Sequence, residues 1–258
     1  MESVLFEKDG PIGWLTLNRP EKRNALSLDL MEDMLRKLDA IEADETVRVA
    51  VIRGNGPVFS AGHDLSEMIG EDKVIHDFRK IFRLCNRMME RLHAVPQPVI
   101  AEVRGVATAA GCQLVAACDL AIAETGARFA TPGVKVGLFC TTPMIPLVRV
   151  IGRRRAMEML LTGRFVSAAE AEKFGLVNRL AAPDKLEEET RNWALEIAQY
   201  SKFTLALGKE AFYEQVDLDE ASAYGYAKEI MAQNCMADDA REGMSAFIEK
   251  RKPRWRDR

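Results

Sequence analysis

Between residues 28 and 43 apolar side chains return every three or four positions. Leu28, Met31, Leu35, Leu38 and Ile41 share one helical face, and Ser27 stands before them where its hydroxyl can accept a backbone N–H. The spacing predicts an amphipathic helix. Two short runs rich in β-branched and aromatic residues, 14–17 and 47–53, flank it, so the chain opens as strand, helix, strand. Residues 98–103 repeat the strand pattern, 109–118 form an Ala-rich run suited to a buried helix, and 120–123 read as another strand. Alternation of this kind predicts an α/β body, and a continuous apolar run such as Val49 to Ile52 fits a parallel strand buried on both faces. After about residue 152 the pattern changes. Ser167 and Glu170 have capping-box spacing, Gly175 suits a helix stop, and 185–250 carry helical periodicity almost throughout.

Composition narrows the class. A chain of 258 residues, 48% hydrophobic and 29% charged, has material for a sizeable core, and no apolar run approaches the roughly 18 residues of a spanning helix. Lys and Arg number 36 against 39 Asp and Glu, a net charge of -3, so neither a nucleic-acid partner nor a membrane partner is expected. Cys85, Cys112, Cys118, Cys140 and Cys235 are odd in number and scattered, the usage of a reduced protein with free thiols. The opening MESVLFEKDG has neither the apolar core of a signal peptide nor an Arg-rich presequence, and the expected location is cytoplasmic.

Two small-residue loops are candidate anion or carbonyl sites. Phe59-Ser60-Ala61-Gly62-His63-Asp64-Leu65 follows a strand and can open a helix at Asp64, and Gly105 to Gly111 precedes the Ala-rich helix. Backbone N–H groups at such junctions can hold an oxygen, although tight packing explains small residues equally well. His63, His76 and His93 have no metal-ligand spacing, no metal is expected, and no GxSxG elbow accompanies Ser60. The basic stretch from Lys250 to Arg258 reads as a solvated end or, more sharply, as a phosphate contact.

Six motifs then occur in order along almost the whole chain. They are Asn18-Arg19-Pro20 with Asn24-Ala25-Leu26, Phe59 to Gly62 with Asp64-Leu65, Gly111-Cys112 with Leu114 and Cys118-Asp119, Leu161-Thr162-Gly163, Gly175-Leu176-Val177, and Glu242-Gly243-Met244 with Ala246-Phe247. Together they resemble the enoyl-CoA hydratase/isomerase family, the crotonases. The resemblance implies an α/β crotonase fold, a ClpP-like spiral of β-β-α turns, with a core over residues 1–190 and a helical C-terminal trimerisation region over 191–258. It implies an acyl-CoA thioester as substrate, no cofactor beyond the coenzyme A that the substrate carries, and assembly with further copies of the chain as trimers or dimers of trimers. The family's oxyanion-hole N–H groups match His63 and Ala110, and its substrate-contacting positions match Ala25, Ala61, Asp64, Leu65, Gly111 and Cys140. Coenzyme A contacts match Lys22 and Arg23, with Lys250 contributed by a neighbouring copy.

The acid–base positions depart from the family. Where hydratases carry two glutamates, this chain has Gln113 and Gly133, and neither residue can exchange a proton near neutral pH. Gly137-Leu138-Phe139-Cys140 with Thr142-Pro143 also departs, and is similar to a subgroup typified by enoyl-CoA hydratase domain-containing protein 3. Two readings stay open: an acyl-CoA enzyme of hydratase or isomerase type with weak hydration, or a non-catalytic acyl-CoA binding or regulatory protein. For the first, the side chains of His63, Asp64 and Glu67 are candidate replacement groups, against which stand plainer roles, Asp64 as a cap, Glu67 as an exposed first-turn residue and His63 as a rim side chain in solvent; Cys140 is a further candidate, although a thiol in an apolar site is poorly suited. Restoring both acids, Gln113→Glu with Gly133→Glu, is expected to raise hydration by at least about 10²-fold in a hydratase-like pocket, and to leave the protein inactive if the altered segment 137–143 has reshaped that pocket.

Overall fold

The structure, a computed structural model, describes residues 2–258. Strand β1 (Val4–Asp9) turns at Gly10 into β2 (Ile12–Leu17), its antiparallel partner. Helix α1 (Leu28–Ala43) leads to β3 (Val49–Gly54), and α2 (Ile75–Ala94) to β4 (Val99–Val103). Then come β5 (Val106–Thr108), α3 (Ala110–Ala117), β6 (Leu120–Glu124) and β7 (Arg128–Ala130). Helices α4 (Met144–Ile151) and α5 (Arg153–Thr162) precede β8 (Val166–Ser167), α6 (Ala168–Phe174) and β9 (Arg179–Ala181). Helices α7 (Leu186–Ala198), α8 (Lys202–Gln215), α9 (Glu220–Met236) and α10 (Asp238–Ile248) end the chain.

One sheet has the order β1-β2-β3-β4-β6-β9, parallel from β2 onward, and a second has the order β5-β7-β8. Both sheets are mixed, because β1 and β8 each pair antiparallel with a neighbour, in keeping with the α/β spiral that the resemblance implies. Both faces of the larger sheet are covered. Leu15, Leu17, Ala50 and Ile52 point into the main core with α1, α2 and α3, while Ile12, Trp14, Val49 and Val51 meet Leu186, Trp193 and Ala194 of α7. Each buried Val, Leu or Ile among them stabilises by about 1.5–3 kcal/mol, so a strand with no polar face is held from two sides.

Local signals agree with the elements they predict. Ser27 Oγ accepts the Leu30 N–H at 3.2 Å, and Met31, Leu35, Leu38 and Ile41 are buried. Ser167 and Glu170 form the expected reciprocal cap of α6, and Gly175 closes it in the left-handed conformation. The division expected at residues 190 and 191 falls inside α7, whose Trp193 and Ala194 belong to the core. Only from α8 onward does the chain leave that core: no residue of α8 or α9 is buried as a whole, although the side chain of Lys209 in α8 is. The basic tail folds back along the body while most of its residues stay exposed: the buried Asp239 carboxylate accepts the Arg256 and Asp257 N–H groups, and Arg251 pairs with Glu242 and Glu249. No helix among the described residues is long and apolar enough to cross a membrane.

Candidate active site

Two loops abut where the larger sheet ends. The segment 60–64 lies as a short extended strip between residues 23–26 on one side and β5 on the other. Ala61 N–H donates to Arg23 O, Leu26 N–H to Gly62 O and Asp64 N–H to Leu26 O; across the strip Ser60 N–H donates to Val106 O and Thr108 N–H to Ser60 O. Ser60 Oγ, fully buried, also donates to Asn24 O at 2.9 Å, and Thr108 Oγ1 donates to Ala61 O at 3.1 Å. The strip is thus fastened along both edges.

Gly62 and Gly111 make this apposition possible. Gly62 has φ 93°, and a Cβ there would stand 2.8 Å from Ala109 Cβ, 2.9 Å from Thr108 O and 3.1 Å from Ala110 N. At Gly111 a Cβ would run into the Ser60 carbonyl oxygen. The N–H groups of His63 and Ala110 consequently sit on adjoining backbone, and among the described residues neither has a hydrogen-bond acceptor. Ala110 opens α3, so its N–H has no partner within the helix. Positive-φ strain falls at the residue before Ala110: Ala109 holds φ 50°, ψ -119°, which costs on the order of 1–3 kcal/mol. That turn aims the Ala110 N–H, and spacing alone gives no signal for it.

His63 differs from the rim side chain it was expected to be. Its ring stands edge-on to Phe82 of α2, centroids 5.4 Å apart, with both nitrogens shut off from solvent and without a hydrogen-bond partner. Burial pushes its pKa below the ordinary histidine value; the Leu26 backbone nearby opposes this only in part and is not in hydrogen-bonding geometry with the ring. Leaving buried polar groups unpaired costs about 1–3 kcal/mol each, a cost that an apolar residue would avoid.

The other candidate groups are engaged elsewhere. Asp64 accepts from Ser66 and pairs with Arg19 at 3.1 Å, contacts that hold its carboxyl below the usual range. Glu67 accepts the Leu28 N–H at 3.0 Å, at the start of α1. These are the capping roles that short polar side chains take at helix starts. Gln113 is buried in α3 with its Oε1 unpartnered, and the fully buried Thr131 Oγ1, absent from the sequence reading, is unpartnered too. Burial raises the Cys140 thiol pKa, and carries that of Cys112 up to about 12.

At Gly133 the packing supports the reshaped pocket of the two alternatives. A Cβ there would lie 2.7 Å from Leu138 O and 2.8 Å from Cys140 Sγ, so the space a glutamate stem needs is filled by the segment that departs from the family. The gain in hydration expected from adding a second acid there lacks room.

Lys22 ends the short 3-10 turn Pro20–Lys22, Arg23 follows in the left-handed region, and both side chains are exposed beside the strip. Ala25 is buried under the strip, Ala61 is half-buried and Leu65 is half exposed. Lys250 lies exposed beyond the end of α10, which packs on α8 and α9, and no hydrogen bond among the described residues links it to the strip. Nor does any cluster of three or more His, Cys, Asp or Glu among them suit a metal ion.

A mixed sheet wound with helices, two abutting loops with unclaimed N–H groups and a helical extension define a crotonase fold. The enoyl-CoA hydratase/isomerase family model matches residues 7–258, and the chain belongs to that family. Enoyl-CoA hydratase domain-containing protein 3, mitochondrial, of Xenopus laevis is 44% identical over 254 residues, 98% of this chain and 85% of that protein. Among solved structures, an enoyl-CoA hydratase of Mycobacterium smegmatis matches with TM-score 0.95 and 44% identity, covering 98% of both chains. Human enoyl-CoA hydratase domain-containing protein 3 matches with TM-score 0.95 and 41% identity, covering 98% of this chain and all of that one. These relatives correct one expectation. Those from Xenopus laevis, Rattus norvegicus and Homo sapiens are named mitochondrial, so the cytoplasmic location read from the first ten residues does not stand.

Proposed function

We propose that the protein binds an acyl-CoA thioester and stabilises its enolate, as an enoyl-CoA hydratase/isomerase-like enzyme with weak hydration. The observation that carries this reading is the pair of unclaimed N–H groups at His63 and Ala110 on abutting backbone. Removing a proton beside the thioester carbonyl moves charge onto its oxygen, and each fixed donor at roughly 2.7–3.1 Å stabilises that charge by a few kcal/mol. Ala25, Ala61, Leu65 and Gly111 would border the bound thioester. Lys22 and Arg23, with Lys250 of a second copy, would meet the phosphates of coenzyme A, and no further cofactor is required.

Gln113 and Gly133 provide no acid or base for adding water. Crotonyl-CoA hydration is therefore expected far below the roughly 10 s⁻¹ of an ordinary enzyme, while butyryl-CoA still binds in calorimetry. Gln113→Glu with Gly133→Glu is expected to stay inactive, because residue 133 has no room for a side chain. Wild-type turnover at ordinary enzyme rates would refute the weak-hydration reading, and absence of butyryl-CoA binding would refute the thioester site. The non-catalytic alternative keeps its support from the same two residues, and predicts binding without any proton exchange.

Self-association belongs to the same proposal. Phe212, Tyr224, Met231 and Phe247 expose between 55% and 86% of their surface along α8, α9 and α10, and large apolar side chains left in water on neighbouring helices suit a subunit interface. Light scattering at micromolar concentration is expected to give a trimer or hexamer, and a monomer would count against this part of the proposal.

A further inference from the structure

The His63 ring is tethered to one of the two free N–H groups. Whatever oxygen that N–H holds lies within one residue's reach of the imidazole, and the carbon next to the thioester carbonyl is one bond further on. The ring is buried beside Phe82 with both nitrogens unpartnered, so no internal contact uses its proton or its lone pair. Around it the alternatives are spent. Asp64 is tied to Arg19 and Ser66, Glu67 holds the start of α1, Gln113 is an amide, and residue 133 has no side chain.

We propose that the imidazole of His63 is the proton-transferring group of this site, taking a proton from the acyl carbon beside the thioester and returning it further along the chain. This rests on the thioester reading above. In the step, the ring's lone-pair nitrogen removes a proton from C2 of a 3-enoyl thioester. The C–H electron pair forms a C1–C2 double bond, and the carbonyl π pair moves to the oxygen held by the His63 and Ala110 N–H groups. The electrons then return, the C2–C3 double bond forms, and the imidazolium delivers its proton to C4, leaving a 2-enoyl thioester and a neutral ring. No water, oxidant or further reactant is consumed. To expose its nitrogen the ring turns away from its edge contact with Phe82. Burial, by disfavouring the imidazolium, keeps the resting ring a neutral base.

The test uses the full chain with 3-butenoyl-CoA in D₂O, following crotonyl-CoA formation, deuterium at C2 of the recovered substrate and deuterium at C4 of the product, with butyryl-CoA binding measured beside it. His63→Leu keeps the backbone N–H and removes the ring. Expected are a loss of exchange and isomerisation of about 10²-fold or more, butyryl-CoA affinity within about threefold of wild type, and a melting temperature no lower than wild type. His63→Ala is expected to lose exchange likewise and to recover part of it when imidazole is added; it also serves if the leucine variant fails to fold. Unchanged isomerisation and exchange in either variant overturn the proposal, as does a wild type that binds butyryl-CoA but neither isomerises 3-butenoyl-CoA nor exchanges its C2 protons. A wild type that binds no butyryl-CoA overturns the thioester reading itself, and the proposal with it.

Discussion

Gly62→Ala is expected to lower stability by about 2–4 kcal/mol and to remove acyl-CoA binding with it. Two costs add. The backbone at residue 62 has φ 93°, where a Cβ is strained, and that Cβ would press on Ala109 Cβ and Thr108 O at 2.8 and 2.9 Å. Both contacts belong to backbone or to a side chain that ends at Cβ, so neither can swing aside. Relief requires the 60–64 strip to move off β5, which parts the His63 and Ala110 N–H groups. Urea unfolding should register the loss at unchanged slope, and calorimetry with butyryl-CoA should register no heat. An alanine variant with wild-type midpoint and affinity would mean that the two loops need not abut.

A second large loss is expected outside the two loops. Asp119, at the start of β6, accepts the Val99 N–H at 2.6 Å and the Tyr213 hydroxyl at 2.7 Å, and pairs with Lys209 of α8 at 2.7 Å. Lys209, only 7% exposed at its side chain, also donates to Leu92 O and Gln97 O. Asp119→Ala leaves that ammonium buried without its counter-charge, which costs about 3–5 kcal/mol, or very roughly 10 °C in melting temperature for a chain of this size. The companion Lys209→Met tests the pairing: the double substitution should cost distinctly less than the sum of the two. Additive losses would assign the effect to packing of α8 rather than to the ion pair. Because this network fastens α8 to the body, Asp119→Ala should also loosen the C-terminal helices and make them the first cleaved in limited proteolysis.

Local order was readable where contacts are local. The α1 face, the Ser27 cap and the Ser167–Glu170 box depend on residues three or four apart, and all are present as the spacing predicts. Strand β1 escaped because VLFEKD has a weak alternation, and it is held chiefly by pairing with β2. The continuous apolar run of β3 announced burial on both faces, yet nothing in it identified α7, well over a hundred residues later, as the second cover.

The candidate site divides along the same line. The amino-acid sequence by itself determined the family, through six ordered motifs, and it determined that residues 113 and 133 carry no carboxylate, since side-chain chemistry is a property of the residue and not of its neighbours. Only the tertiary structure decided which polar groups remain free. Asp64 and Glu67 were neutralised as candidates by Arg19, Ser66 and the Leu28 N–H, and His63 was taken out of solvent by Phe82. Gly133 was closed to a side chain by Leu138 and Cys140, and the turn at Ala109 aimed the Ala110 N–H. The physical reason is that whether a polar atom is available depends on what packs against it. Apolar periodicity marks the side that faces the core, but not which distant residue arrives there.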